Sequence, residues 1–232
     1  MGDHGPVLVE IIALDAADAR AAQDGGADRV ELVSDMAAGG LSPAPAVVES
    51  VLAAVSIPVR VMVRTTPDFT ARVPAVLRCL RELRSAGAAE FVLGFLTPAG
   101  AVDPAVVDAL DGAPWTFHRA IDHAADRAAA WPRLAGLPGL TSVLTAGAPT
   151  GMADGLPVLL AEAPAHAGLM LAGGGLRESH LAPLTAAGVR AFHSGSAVRP
   201  GGRWTSPVSV GLVRRLRHAL GPATPSTLPS GS

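Results

Sequence analysis

The chain contains no lysine and no tyrosine. Without lysine there is no amine to form a Schiff base with a carbonyl substrate or to anchor pyridoxal phosphate, so those covalent mechanisms are excluded. Without tyrosine there is no phenol to act as acid or base. Positive charge falls to arginine, apart from any protonated histidine. Cysteine is nearly missing as well: Cys79 is the single one, so no disulfide can form within the chain. No uninterrupted apolar run reaches the roughly 18 residues of a membrane-spanning helix, although 49% of the residues are hydrophobic. The opening stretch "MGDHGPVLVEII" has neither a basic n-region nor a small-residue cleavage site, and the expected location is the cytoplasm. A formal net charge of −2 supplies no basic field for nucleic acid and no polybasic patch for an anionic membrane. The expected partners are therefore small molecules or another protein. No helix face is apolar enough to name as a dimer interface, so a homodimer stays an open expectation.

What is present is alternation. Eight short β-rich runs ("VLVEIIA", "DRVELV", "PVRVMVR", "AEFVLGFL", "WTFHRAI", "LTSVLTA", "GLMLAGG", "RAFHSGS") are separated by stretches with apolar residues at helical spacing, such as "VPAVLRCLRELRSAG" and "SPVSVGLVRRLRHAL". Strand and helix in alternation imply βα units and a parallel sheet. Three joins, "DGGADRVEL", "SAGAAEFVL" and "AAGVRAFHS", put glycine at the helix end just before the next strand. Eight such units predict an α/β fold, a single (β/α)8 TIM barrel over residues 1–220. The sixth unit, "AGAPTGMADGLPVLLAEAPAHAG", is rich in Pro and Gly, and only a short, degenerate helix is expected there. The Pro/Ser/Gly-rich segment 221–232 is expected to be a disordered tail.

Side chains along a strand alternate between faces, so each strand's parity can be read from its large apolar residues. Trp115 and Phe117 share one face, leaving Thr116 and His118 on the other. By the same reading Glu10 opposes Val9 and Ile11, Glu31 opposes Val30 and Leu32, and Arg64 lies with Arg60 and Met62 opposite three valines. The apolar sets should face the helices and the polar sets the barrel interior. Glu10, Glu31, Arg64, His118 and His193 would then meet at the carboxyl ends of the strands, where barrel active sites sit. A buried Glu–Arg pair can instead be a satisfied ion pair that fixes the core, but several ionisable groups at one height are costly to desolvate without a ligand. Arg119 has the outward parity of Trp115, and Asp122 stands where it could simply cap the next helix; both are candidates with these alternatives.

"LAGGGLRESH" follows the seventh strand and "FHSGSAV" the eighth. Loops at these positions often offer backbone N–H groups to a phosphate or carboxylate, which makes Gly173, Gly174, Gly175, Ser194 and Ser196 candidate anion-binding residues, with Thr145 and Gly147 offering similar donors after the sixth strand. The alternative for the glycines is a tight turn. Metal motifs such as C-x-x-C and H-E-x-x-H are lacking. Cys79 sits among leucines in a helix, and within the barrel only Met62, with His118 or His193, approximates a soft copper(I) site.

The stretches "GGADRVELVSDMAAGGLSP", "VRVMVR", "FVLGFLTPAGAVD", "TFHRAID", "VLTAG", "GGGL" and "FHSGSA", in this order from about Val7 to Ser196, resemble the CutC family. The resemblance implies a TIM barrel, a link to copper homeostasis with copper(I) as a cofactor or cargo, and a polar pocket of Glu10, Glu31, Arg64, His118, Arg119, Asp122 and His193. It implies no particular reaction. Two departures stand out: Val33 replaces the cysteine of a Glu-Leu-Cys-Ser run, and Arg64-Thr65-Thr66-Pro67-Asp68 replaces an Arg-Pro-Arg-Gly-Gly run. The missing thiol weighs against direct copper(I) binding. Three functions stay open: a copper homeostasis protein, a metal-independent lyase, isomerase or hydrolase, or a catalytically inactive barrel acting as a scaffold. The second would act on a small anionic or phosphorylated molecule held by Arg64 and the Gly173–Gly175 loop, with His118 and Glu31 as base and acid.

Overall fold

The computed structural model describes residues 6–221; the tail from residue 222 onward lies outside them. Eight strands, β1 (Leu8–Ala13), β2 (Arg29–Leu32), β3 (Val59–Met62), β4 (Glu90–Leu93), β5 (Trp115–Phe117), β6 (Leu140–Thr145), β7 (Met170–Ala172) and β8 (Ala191–Ser194), form a closed parallel barrel in sequence order. The last strand pairs with the first, with Val9 beside Phe192 and Glu10 beside His193. Seven α-helices surround it among the described residues: α1 (Ala16–Asp24), α2 (Pro45–Leu52), α3 (Val73–Ser85), α4 (Arg127–Ala135), α5 (Met152–His166), α6 (Glu178–Ala186) and α7 (Val210–Leu220). This is the predicted (β/α)8 architecture. All three glycine joins work as read: Gly26 (φ 90°), Gly87 (φ 94°) and Gly188 (φ 95°) take the left-handed region that lets the chain leave α1, α3 and α6 for the next strand.

The irregular unit is not the sixth but the fourth. Between β4 and β5, where Pro98, Gly100, Pro104 and Gly112 interrupt the chain, only a 3-10 turn forms, at Val107–Leu110. The sixth unit instead carries α5, the longest helix at 15 residues. Its Met152, Gly155, Leu159 and Ala163 recur at helical spacing and are buried against the barrel. Pro157 and Pro164 lie on the exposed side, where the carbonyls they leave unpaired can be hydrated.

Two apolar regions hold the barrel. The larger lies between sheet and helices, with Trp115, Phe117, Phe91 and Phe192 from the strands packed on Trp131, Leu134, Leu83 and Leu159 from the helices. The smaller, Ile12, Val33, Met62 and Val92, lies inside the barrel. Much of the remaining interior is ionic. Arg60 spans β3 to β6, donating to Glu90 (3.0 Å), Thr116 (2.6 Å) and Thr141 (2.6 Å), while Arg29 donates to Glu10 (2.5 Å). These pairs, buried but for the partly exposed Glu90, form the floor beneath the barrel mouth.

Candidate active site

A cavity of about 820 Å³ opens at the carboxyl ends of the strands. Glu31, Arg64, His118, Arg119, His193 and Ser194 line it, together with an apolar wall that includes Met36, Met62, Phe69 and Trp204. Four of these residues carry a buried polar atom without a hydrogen-bond partner: Glu31 Oε1, Arg64 Nε, His118 Nε2 and Ser194 Oγ. Such atoms are costly to bury unpaired, so their convergence on one cavity marks where a polar ligand would bind.

His193 is held between two carboxylates. Its Nδ1 lies 2.8 Å from Glu10 Oε1 and its Nε2 3.5 Å from Glu31 Oε2. All three side chains are buried, yet the two acids differ. Burial pushes Glu10 toward the neutral form, but Arg29 and the His193 hydrogen bond outweigh it and hold the carboxyl well below the usual range. Glu31 has no contact with a guanidinium, and burial pushes its pKa up to about 7. Burial also opposes charge on His193, but Glu31 and Glu10 together raise its pKa above the ordinary imidazole value. An ionised Glu10 can only accept, so His193 Nδ1 carries a proton and Nε2 is the atom that exchanges one with Glu31. The strand register sets this up by placing Glu10 beside both Arg29 and His193. Gly173 clears the space, since a Cβ there would stand 2.8 Å from His193 Cβ.

On the other side of the mouth, Arg64 donates through Nη1 to the carbonyls of Gly39 (3.0 Å) and Gly40 (3.2 Å) and through Nη2 to Pro67. The carbonyl of Pro67 belongs to the divergent loop that follows β3. His118 caps the 3-10 turn Arg119–His123, its Nδ1 accepting the Ala120 N–H at 3.1 Å. Burial, reinforced by the Arg64 charge, lowers the His118 pKa to about 3. His118 is therefore a neutral imidazole with its hydrogen on Nε2. That tautomer presents an N–H donor to the cavity.

Arg119 and Asp122 are brought together, though not both into the cavity. Arg119 lines it and donates to Asp122 (2.8 Å) and to the carbonyls of Ala148 and Pro149. Asp122 is buried behind the wall. It accepts from Thr145 Oγ1 (2.6 Å), from the N–H groups of Ala146 and Gly147, and from Arg127 (3.0 Å). Thr145 and Gly147 thus spend their donors on Asp122 and, like Glu10 and Gly173, do not line the cavity. Gly174, Gly175, Ser194 and Ser196 do, and the N–H groups of Gly174, Gly175 and Leu176 donate to no other group among the described residues. Sequence reasoning missed Trp204, whose indole packs where a Cβ on Gly195 would stand (2.3 Å), and Arg177, which also lines the mouth.

No thiol reaches the cavity, whose soft atoms are the thioethers of Met36 and Met62 in its apolar wall. Cys79 lies on α3 and contacts Ser42 Oγ at 3.3 Å, outside the cavity lining. His118 Nε2 carries the hydrogen fixed by the Ala120 contact, and His193 is engaged at both nitrogens. Among the described residues no group of three His, Cys, Asp or Glu side chains is arranged to hold a metal ion. No described helix is long and apolar enough to cross a membrane.

Residues 7–198 match the family model described as the CutC family. A protein named CutC from Enterobacter sp. (strain 638) is 35% identical over 208 residues, 85% of this chain and 81% of its own length. One from Salmonella schwarzengrund (strain CVM19633) is 35% identical over 200 residues, 82% of this chain and 80% of its own. Among solved structures, that of a protein called copper homeostasis protein CutC, from Streptococcus agalactiae, has a TM-score of 0.72 at 23% identity. It covers 82% of this chain and 98% of its own, and the likeness is one of fold.

Proposed function

This chain belongs to the CutC family, and from that premise we propose that it is an acid–base enzyme that takes a small anionic molecule at the barrel mouth and needs no resident metal ion. The observation that carries this reading is His193 between an ionised Glu10 and a Glu31 whose pKa stands at about 7. The Glu31–His193 pair holds a shared proton near neutrality, the condition under which a side chain can both take and return one. In the proposed step Glu31, as carboxylate, removes a proton from carbon next to a carbonyl. The C–H electron pair passes into the enolate, and the proton returns to a neighbouring atom, giving isomerisation, or an adjacent leaving group departs, giving elimination. The free N–H groups of Gly174, Gly175 and Leu176, with Arg177 beside them, would hold the substrate's anionic group. The copper link of the family enters as a role outside this cavity, because no thiolate reaches it and its imidazoles are committed, which leaves the thioethers of Met36 and Met62 as its soft donors.

Incorporation of solvent deuterium into small phosphorylated and carboxylated aldehydes and ketones, followed by NMR, tests the proposal. Wild type should exchange a carbon-bound proton in at least one of them. Glu31→Gln should slow that exchange by about a hundredfold or more. A panel untouched by wild type, or one exchanged equally by Glu31→Gln, would overturn it.

A further inference from the structure

Of the four buried arginines, three face a carboxylate: Arg29 meets Glu10 (2.5 Å), Arg60 meets Glu90 (3.0 Å) and Arg199 meets Asp18 (2.5 Å). Among the described residues Arg64 has none within 4.0 Å. Its two terminal nitrogens are spent on carbonyls, which are neutral; the exposed Asp68 acts on the charge only through space, and Nε alone is left without a partner. His118 has one free donor too, Nε2. The two residues share a neighbour: the Phe69 ring lies 4.8 Å from the Arg64 guanidinium carbon and 5.4 Å, edge to face, from the His118 ring. They also share a row. The pairings Met62 with Val92 and Val92 with Thr116, carried two residues further, align Arg64, Gly94 and His118 across β3, β4 and β5. Gly94 leaves a notch between them, because a Cβ there would stand 2.7 Å from His118 Nδ1.

We propose that Arg64 Nε and His118 Nε2 form a carboxylate subsite, so that the molecule taken by this cavity carries a carboxylate on the β3–β5 side, across from the Gly174 loop. Two donors and one net positive charge match a monoanion with planar oxygens; a phosphate dianion would leave charge and acceptors unmet. A buried guanidinium with no carboxylate in contact is costly, and an incoming carboxylate offsets that cost. The inference rests on the proposed cavity for its location, but not on the proton chemistry of Glu31 and His193.

Pyruvate, glycolate and inorganic phosphate, titrated into protein labelled with nitrogen-15, are the probes. Pyruvate and glycolate should move the His118 Nε2 resonance at millimolar concentration in wild type, a readout that needs no variant. Their affinity should fall about tenfold or more in Arg64→Met and in His118→Phe, which keeps a ring against Phe69. Phosphate should not share this response. An unmoved resonance, equal carboxylate affinity in both variants, or phosphate moving the same resonance with the same dependence on Arg64 would overturn the subsite. Glu31→Gln separates the two proposals. Carboxylate binding that survives in it while deuterium exchange stays at the wild-type rate sinks only the acid–base reading. Glu31-dependent exchange with no carboxylate response at His118 sinks only the subsite.

Discussion

Glu10 and Glu31 are the same side chain given opposite protonation by their neighbours. Both are buried, but Glu10 receives Arg29 at 2.5 Å and Glu31 has only the far nitrogen of His193 at 3.5 Å. Parity along β1 and β2 was enough to place both acids on the inner face. It also put Arg29 there, yet nothing in a linear sequence says which guanidinium ends beside which carboxylate, so the pairing that divides the two acids was not legible. Glu10→Gln tests that division. The amide keeps the shape but removes the charge that favours protonated His193 and leaves Arg29 uncompensated. The His193 titration, followed by nitrogen-15 NMR, should shift to lower pH, and stability should fall by about 3–5 kcal/mol in denaturant unfolding. An unmoved titration would mean that Glu10 does not set the proton on His193.

At the scale of elements, the barrel mouth depends on a join. Asp122, in the 3-10 turn after β5, binds the end of β6 through Thr145, Ala146 and Gly147 and reaches α4 through Arg127, which in turn donates to Glu162 of α5 at 2.6 Å. One carboxylate therefore ties β5, β6, α4 and α5 together and holds Arg119 at the cavity edge. Alternation showed the strands on either side because their apolar residues recur with period two, but a turn has no such period, and Asp122 could be read only as a cap or a ligand. The position of the irregular unit has a related cause: proline count alone does not measure disruption, and α5 tolerates Pro157 and Pro164 because they face solvent. Asp122→Ala would strand the Thr145 hydroxyl proton and the Ala146 N–H and leave Arg127 with Glu162 as its one carboxylate. It should cost about 3–5 kcal/mol in chemical denaturation, and a loss below about 1 kcal/mol would reduce the network to a surface-like contribution.

For the whole molecule, the ionic interior links stability to pH, and the sign differs from group to group. Glu31 and His193 have folded pKa values above their ordinary ones, so each favours folding below its unfolded pKa and withdraws that support as pH rises. For Glu31 the window runs from about 4.5 to about 7, and for His193 it lies above about 6.5. Glu10 and His118 have lowered values, so they support folding at higher pH and cease to do so on acidification, Glu10 below 4.5 and His118 between 6.5 and about 3. Between pH 4.5 and 6.5 the slopes of Glu31 and His118 oppose each other and stability should be nearly flat. Below 4.5 Glu10 and His118 act together and it should drop steeply. Above 6.5 the Glu31–His193 pair should erode it. Glu31→Gln removes the ionisable acid from that pair, so the variant should gain on wild type as pH goes from 5 to 8, by on the order of 1–3 kcal/mol at the upper end. Thermal unfolding across that range measures the gap. A variant that is less stable than wild type at pH 8, or a gap that does not change with pH, would show that Glu31 carries no strain in its charged form, and a site kept ready for proton transfer at the expense of stability would lose its physical basis.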